Sequence, residues 1–428
     1  MNAEEEMTLK ERRKYLRKMQ TRYKGAARAE QSRLLDEMEA VTGLHRKSLI
    51  RLMKGSLERK RRSRERGRTY GPEVDHAIGV IAESLDYPCA ERLTPNLVTL
   101  AEHLARHGEL CVSEQLLKQL AQISKSTVER RLAGIRRDRP RLPRRRPRAA
   151  NSVLRDVPMG RIPWDEAEPG HFEVDLVHHC GPSASGEYVH TLQMVDIATG
   201  WSERQALLGR SYVVVQAAFR AILQRLPFAV REIHPDNGSE FFNHHLKRFW
   251  KETVKGVHLS RSRPFHKNDN PFVEQRNANP VRAYLGYDRL DSVVQTRAVN
   301  QLYDKLWVYS NLFQPVMRTV EKTIISAPGQ LTKFKRRYDQ PRTPFERLCE
   351  TNALTPQRRS ELNALRDQTN PRQLREEIYA LIDHIFSLPG AQQGKTENVY
   401  EIVYLPIAEH IEDRPPVTLS FEGPTLAR

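Results

Sequence analysis

Neither a helix interior nor a sheet can be built from residues 136–148, "RRDRPRLPRRRPR". Eight arginines repel one another there, and Pro140, Pro143 and Pro147 remove backbone donors and block helical geometry, so the stretch reads as an extended linker. The two sides of it differ in charge. Residues 1–150 hold 35 Lys+Arg against 20 Asp+Glu, whereas the rest of the chain holds 35 against 33. The N-terminal third is therefore the expected polyanion-binding part, because neutralising phosphates releases condensed counterions. Arg144, Arg145 and Arg146 are placed to lie along DNA, where a narrow minor groove attracts arginine. A second basic stretch, "RKRRSRERGR" over 59–68, precedes another helical region.

Two segments before the linker carry apolar residues at helical spacing, interrupted by a short turn. In "LLDEMEAVTGLHRKSLIRLM" (34–53) the break is Thr42-Gly43-Leu44; in "LLKQLAQISKSTVERRLAGI" (116–135) Leu116, Leu120 and Ile123 lead into a helix that Ser126 and Glu129 would cap. Val128, Leu132 and Ile135 would face inward. Helix, turn and helix with a basic outer face resembles the helix-turn-helix arrangement that contacts DNA, with Arg46 and Lys47 in the first copy and Lys125, Thr127, Arg130 and Arg131 in the second. His103 and His107 share a helix face and Cys89 and Cys111 lie nearby, yet no closely paired cysteines occur, so no zinc site is expected. The four scattered cysteines fit a reducing compartment. The charged start, "MNAEEEMTLKERRKY", and the lack of any window near ~20 apolar residues lead us to expect a cytoplasmic protein with no membrane partner.

Beyond Trp164 short strands alternate with helices, which indicates a mixed α/β sheet covered by helices. "HFEVDLVHHC" places Phe172, Val174 and Leu176 at period two, leaving Asp175 on the other face. In "IHPDNGSEF" Asp236 ends a strand before a turn-forming Asn-Gly. In "KNDNPFVEQ" Asn270 would cap a helix, Pro271 would open it, and Glu274 would fall in its first turn. Each acid has a structural explanation alone: strand surface, turn, helix-start anion. Glu173, Asp196, Glu240 and Asp269 are rival carboxylates, Asp196 reading as a turn former in "DIATG".

As an ordered set, "FEVDLV", "DNGSEF" and "RSRPFHKNDNPFVEQRNANPVR", with acids 61 and 38 positions apart, resemble the DDE transposase and retroviral integrase superfamily. "GYDRL" (286–290) and "NLFQPV" (311–316) further resemble bacterial insertion-sequence transposases with an integrase-type core. The resemblance covers roughly 164–348. It implies a ribonuclease H-like core in which Asp175, Asp236 and Glu274 are both catalytic residues and ligands of two Mg²⁺ ions, with Mn²⁺ as a substitute. Hard oxygen donors suit such ions, and a metal pair serves in-line phosphoryl transfer.

The implied activity is that of a DNA transposase that binds the terminal repeats of a mobile element, cleaves the 3′ ends and transfers the strands into target DNA. It would act as a homo-oligomer on double-stranded DNA, in bacterial cytoplasm and at the nucleoid when bound. Where retroviral relatives place basic residues after the Glu, this chain has Ala278 and Val281; Arg276 and Arg282, with Lys267 upstream, are the expected DNA contacts instead. Pro280 would end the helix early. A domesticated site-specific DNA-binding regulator and a metal-dependent nuclease on the same fold are the alternatives. The expected organisation is a helix-turn-helix module over 1–58, a second over 70–135, the Arg/Pro-rich linker over 136–160, the catalytic core over 161–330 and a C-terminal region, partly flexible, over 331–428.

Overall fold

The computed structural model describes residues 7–57, 69–135, 166–235, 246, 248–250, 254, 256–260, 281–324, 334–392 and 394–403. The chain divides into two compact units, Met1–Thr69 and Tyr70–Arg428.

In the smaller unit, α1 (Leu9–Gly25) begins at Thr8, which exchanges hydrogen bonds with Glu11 in a capping box. Helix α2 (Arg28–Thr42) stops at Gly43, whose φ of 66° is one that glycine adopts without strain. His45 then caps α3 (Arg46–Lys54) by accepting the Lys47 N–H. The three helices close over Leu16, Met19, Tyr23, Leu34, Leu35, Met38, Leu49 and Met53. Gln20 of α1 donates to the carbonyls of Leu52, Met53 and Gly55 at 3.0, 3.1 and 2.7 Å, and so satisfies the end of α3.

The larger unit begins with a helical set: α4 (Pro72–Ser84), α5 (Ala90–Leu93), α6 (Leu97–Arg106), α7 (Glu114–Gln122) and α8 (Lys125–Gly134). Ser124, not Ser126, caps α8, accepting the Thr127 N–H at 3.3 Å. The fully buried Val128 anchors the helix in that register, and Leu132 and Ile135 pack against the same core. Helix α4 ends in two consecutive left-handed residues, Asp86 (φ 57°) and Tyr87 (φ 55°). Neither is glycine, and the strain is held by distant partners. The buried Asp86 carboxylate accepts the hydroxyls of Tyr284 (3.2 Å) and Tyr379 (3.0 Å), and Arg375 lies 3.6 Å away.

The sheet contains β1 (His171–His178), β2 (Val189–Asp196), β3 (Ser202–Leu208), β4 (Glu232–Pro235) and β5 (His258–Leu259) in the order β3-β2-β1-β4-β5. The first three strands pair antiparallel, whereas β1/β4 and β4/β5 are parallel. This is the mixed α/β sheet expected from the alternation of strand and helix. The step from β3 back to β4 is made by α9 (Tyr212–Arg225), whose Val215, Phe219 and Ile222 pack with Phe172, Val174, Leu176, Leu192, Met194 and Leu207 in one apolar cluster. A second cluster joins Val189, Ala206 and Leu208 to later helices, since residues one apart on a strand face opposite sides.

After the sheet come α10 (Arg282–Leu285), α11 (Val293–Val308), the hairpin β6 (Thr319–Ile324) with β7 (Phe334–Tyr338), and α12 (Pro344–Cys349), α13 (Pro356–Gln368) and α14 (Pro371–Ser387). Helix α11 supplies Val299, Leu302, Tyr303 and Leu306 to the second cluster, and α14 adds Leu374, Ile378, Ile382 and Ile385. The outer edge of β3 is closed by two amides. Asn300 pairs with both backbone groups of Ala206 (2.7 and 3.1 Å), and Asn311 with both of Ser202 (2.9 and 3.0 Å). An edge that would otherwise expose orphan donors and acceptors is thereby satisfied internally.

Candidate active site

Asp175 lies on the central strand. Its neighbours Val174 and Leu176 are buried toward α9, while Asp175 is half-buried on the opposite face, and its Oδ1 accepts the Leu176 N–H at 2.8 Å. The parallel partner β4 reaches Pro235 opposite Val174. Asp236 is the next residue in the chain, but it and Glu274 lie outside the described residues, as do Arg144, Arg145, Arg146, Lys267 and Arg276. Among the described residues no three His, Cys, Asp or Glu side chains converge as a metal site.

Polar groups line the face that Asp175 shares. Across β2 and β3 its register partners are Gln193 and then Arg204, both buried. Burial pushes the Arg204 guanidinium down to about 10, and its Nη1 donates to Ser310 Oγ at 3.1 Å. One register step along, Thr191 bonds the buried Tyr303 hydroxyl and His179 Nε2, the latter at 2.8 Å. His178 and His179 follow Asp175 closely; His179 is fully buried and held well below its ordinary pKa, first by burial and then by Arg282, so it is a neutral packing residue. His178 stacks edge-on against His190 at 4.8 Å between centroids.

At the other end of β1, His171 Nδ1 and Glu232 lie 2.9 Å apart. Ser260 bonds Glu232 and also His234 Nδ1, the latter at 2.6 Å. Burial raises the Glu232 carboxyl, but the hydrogen bonds from Ser260 and His171 outweigh it and the group sits below its ordinary range. Asp196 is a turn former as read from "DIATG": fully buried, it accepts the N–H groups of Gly170 and Thr199 (2.8 Å each) and the Thr199 hydroxyl (2.6 Å).

The basic residues singled out from sequence are placed unequally. Arg282 donates to the carbonyls of His178 (2.7 Å) and Gly286 (3.1 Å) and stacks on Tyr287, fastening α10 to the end of β1. Burial lowers its pKa, while Tyr287, Tyr303 and nearby Asp175 act the other way. Arg46 pairs with Asp36 and donates to Ser32, which ties α3 to α2. Lys47 is exposed. Lys125 pairs with Glu91 (2.9 Å) and Arg131 with Asp75 (2.6 Å); Arg130 donates to Ser126 O and to Thr127. Missed from sequence were Gln193, Arg204 and the Glu232 network, although polar residues at alternate positions of the buried "HTLQMVD" were a readable signal.

A protein of Sinorhizobium fredii (strain NBRC 101917 / NGR234), the uncharacterized protein y4rM, is 38% identical over 327 residues, which cover 76% of this chain and 91% of that protein. The chain belongs to the y4rM family. No family model matches it. Two solved structures overlap it in part. One is the catalytic core domain of BIV integrase (19% identity, TM-score 0.21, 26% of this chain and 65% of that one). The other is a simian T-cell lymphotropic virus intasome in complex with PP2A regulatory subunit B56 gamma (15%, TM-score 0.24, 42% and 57%). The chain spans less than two thirds of each of those chains. Strand order and register, rather than these overlaps, define the architecture around Asp175.

Proposed function

We propose that this chain is a DNA transposase of the DDE type, with a ribonuclease H-like core, acting as a homo-oligomer on the ends of a mobile element. The observation that carries the reading is the register at the sheet centre: Asp175 stands half-buried on β1, and the parallel strand beside it ends at Pro235, one peptide bond before Asp236. That supports a site in which two acids distant in sequence meet at one edge of a sheet. The motif order that includes Glu274 completes the set.

Asp175 fits a role as a metal ligand, because a partly exposed carboxylate on a rigid strand offers hard oxygen donors. With Asp236 and Glu274 it would hold Mg²⁺ or Mn²⁺, and two such ions supply charge stabilisation to the attacking and leaving oxygens of phosphoryl transfer. The Leu176 N–H fixes one carboxylate oxygen of Asp175, and Arg282 adds positive charge near the acid. No protein nucleophile is needed. DNA contact falls to the helix-turn-helix reading of α2 and α3, whose outer residues Lys47, Arg51 and Lys54 are exposed, to α8, and to the arginines of the linker.

The test is cleavage and joining of labelled element-end DNA with Mg²⁺ by Asp175→Asn and Asp236→Asn. DNA binding persists in each while cleavage and strand transfer drop below detection. Retained joining by either variant refutes its assignment.

A further inference from the structure

Three residues form a row across three strands: Asp175 of β1 opposite Gln193 of β2, and Gln193 opposite Arg204 of β3. Register partners share a face, with Cβ atoms roughly 5 Å apart. Gln193 is fully buried, yet neither its Oε1 nor its Nε2 has a hydrogen-bond partner among the described residues; the same holds for Nε and Nη2 of Arg204, which is 2% exposed. A buried amide with both ends unsatisfied is costly, so its retention in the middle of an otherwise close-packed strand needs a reason.

The chemistries are complementary in one direction only. Arg204 has only donors, Gln193 has one acceptor and a two-proton donor, and an ionised Asp175 only accepts. Turning the amide so that its oxygen meets Arg204 and its nitrogen meets Asp175 satisfies all three.

We propose that Gln193 is a positioning residue for Asp175, donating from Nε2 to the carboxylate while its Oε1 is held by Arg204, and so setting the carboxylate rotamer in which a divalent cation is bound. The inference rests on Asp175 being a metal ligand, as read above. Groups that orient a ligating carboxylate change metal affinity by about 10- to 100-fold when removed. The buried guanidinium biases the amide: Arg204 draws the carbonyl end toward itself, leaving the NH₂ end for the acid. Leu176 N–H already holds Oδ1 of Asp175, and a second donor from the amide would lock the carboxylate plane.

The probe is Mn²⁺ alone, titrated into the full-length chain and followed by calorimetry and by the electron paramagnetic resonance line shape of the bound ion. Gln193→Met keeps length and removes both polar ends. It should weaken Mn²⁺ binding about tenfold and alter the line shape, and it should also lower the thermal midpoint, since the buried Arg204 loses its acceptor. Gln193→Leu serves as the second variant should the thioether disturb the sheet. A purely structural glutamine predicts a shifted midpoint with unaltered affinity and line shape. That result, with Mn²⁺ binding abolished in Asp175→Asn, overturns the positioning role and leaves the reading of Asp175 intact. Mn²⁺ binding that Asp175→Asn does not change, or no binding by the parent chain, overturns both.

Discussion

Replacing Arg225 by Met removes one side of a buried ion pair that ties three layers together. Glu203 on β3 is fully buried and accepts from Trp201 Nε1 (2.8 Å), from Trp307 Nε1 of α11 (2.7 Å) and from Arg225 Nε of α9. Arg225 also donates to the Arg204 carbonyl and lies 3.6 Å from Asp304. The Met side chain keeps the apolar stem of Arg225 but leaves a carboxylate in the core with only two neutral donors. Breaking one partner of a buried pair costs about 3–5 kcal/mol. Glu203→Gln should cost less, because the amide oxygen still accepts from both indoles and, although its NH₂ then faces Arg225 Nε, the guanidinium keeps Asp304 and the Arg204 carbonyl. For the unit Tyr70–Arg428, ~2.1 cal/mol/K per residue gives an unfolding entropy of roughly 0.7 kcal/mol/K, so Arg225→Met should lower its thermal midpoint by about 4–7 °C. Urea titration of both single variants and the double variant measures this; coupling should make the loss in the double variant smaller than the sum of the singles. A loss below about 1 kcal/mol for Arg225→Met, or one equal to that of Glu203→Gln, would refute the claim that a paired buried charge holds α9 and α11 on the sheet.

Acid should destabilise the sheet unit through its buried imidazoles. Burial pulls His190 down to about 3, so between roughly pH 6.5 and pH 3 the unfolded chain binds a proton there that the folded chain refuses, and burial holds His179 well below the ordinary histidine value, which acts in the same direction. His190 then removes up to ~1.4 kcal/mol per pH unit as pH falls through that window and nothing above it. Thermal midpoints of His190→Gln measured from pH 7 to 4 should fall less steeply than those of the parent, and parallel curves would contradict the assignment. On DNA, changing Lys47, Arg51 and Lys54 to Gln should flatten the log–log salt dependence of binding by about 0.9 for each phosphate that is no longer neutralised. Arg46→Gln should instead loosen the small unit, since Arg46 is engaged by Asp36 and Ser32, and a slope change equal to that of Lys47→Gln would reverse this ranking.

Elements whose periodicity sets their burial are legible in the sequence alone. The two-residue period of Phe172, Val174 and Leu176 marks β1, and the spacing of Val215, Phe219, Ile222 and Leu226 marks the inner face of α9 and its end; all seven are buried. Capping signals are less decisive where two candidates compete. Ser124 and Ser126 stand two apart, each able to start a helix, and the choice depends on which register buries Val128. Three of the helices after residue 331 are harder to read, although Thr343-Pro344, Thr355-Pro356 and Asn370-Pro371 each pair a capping side chain with proline at the first helical position. Their apolar stripes are thin, and a proline reads as a helix breaker as readily as an opener. Charge is the least legible property, because a guanidinium in a basic sequence looks available to a phosphate until the fold brings it a carbonyl or a carboxylate. Arg282 finds His178 O, and Arg131 finds Asp75 far away in the chain. The candidate site divides along the same line. Asp175, Asp236 and Glu274 are singled out by their spacing and flanking sequence, whereas Gln193 and Arg204 belong to no motif and show only as polar residues within buried strands. Their relation to Asp175 exists only through strand register, so a side chain that orients a carboxylate is found by asking which buried polar atoms share its row and remain unsatisfied.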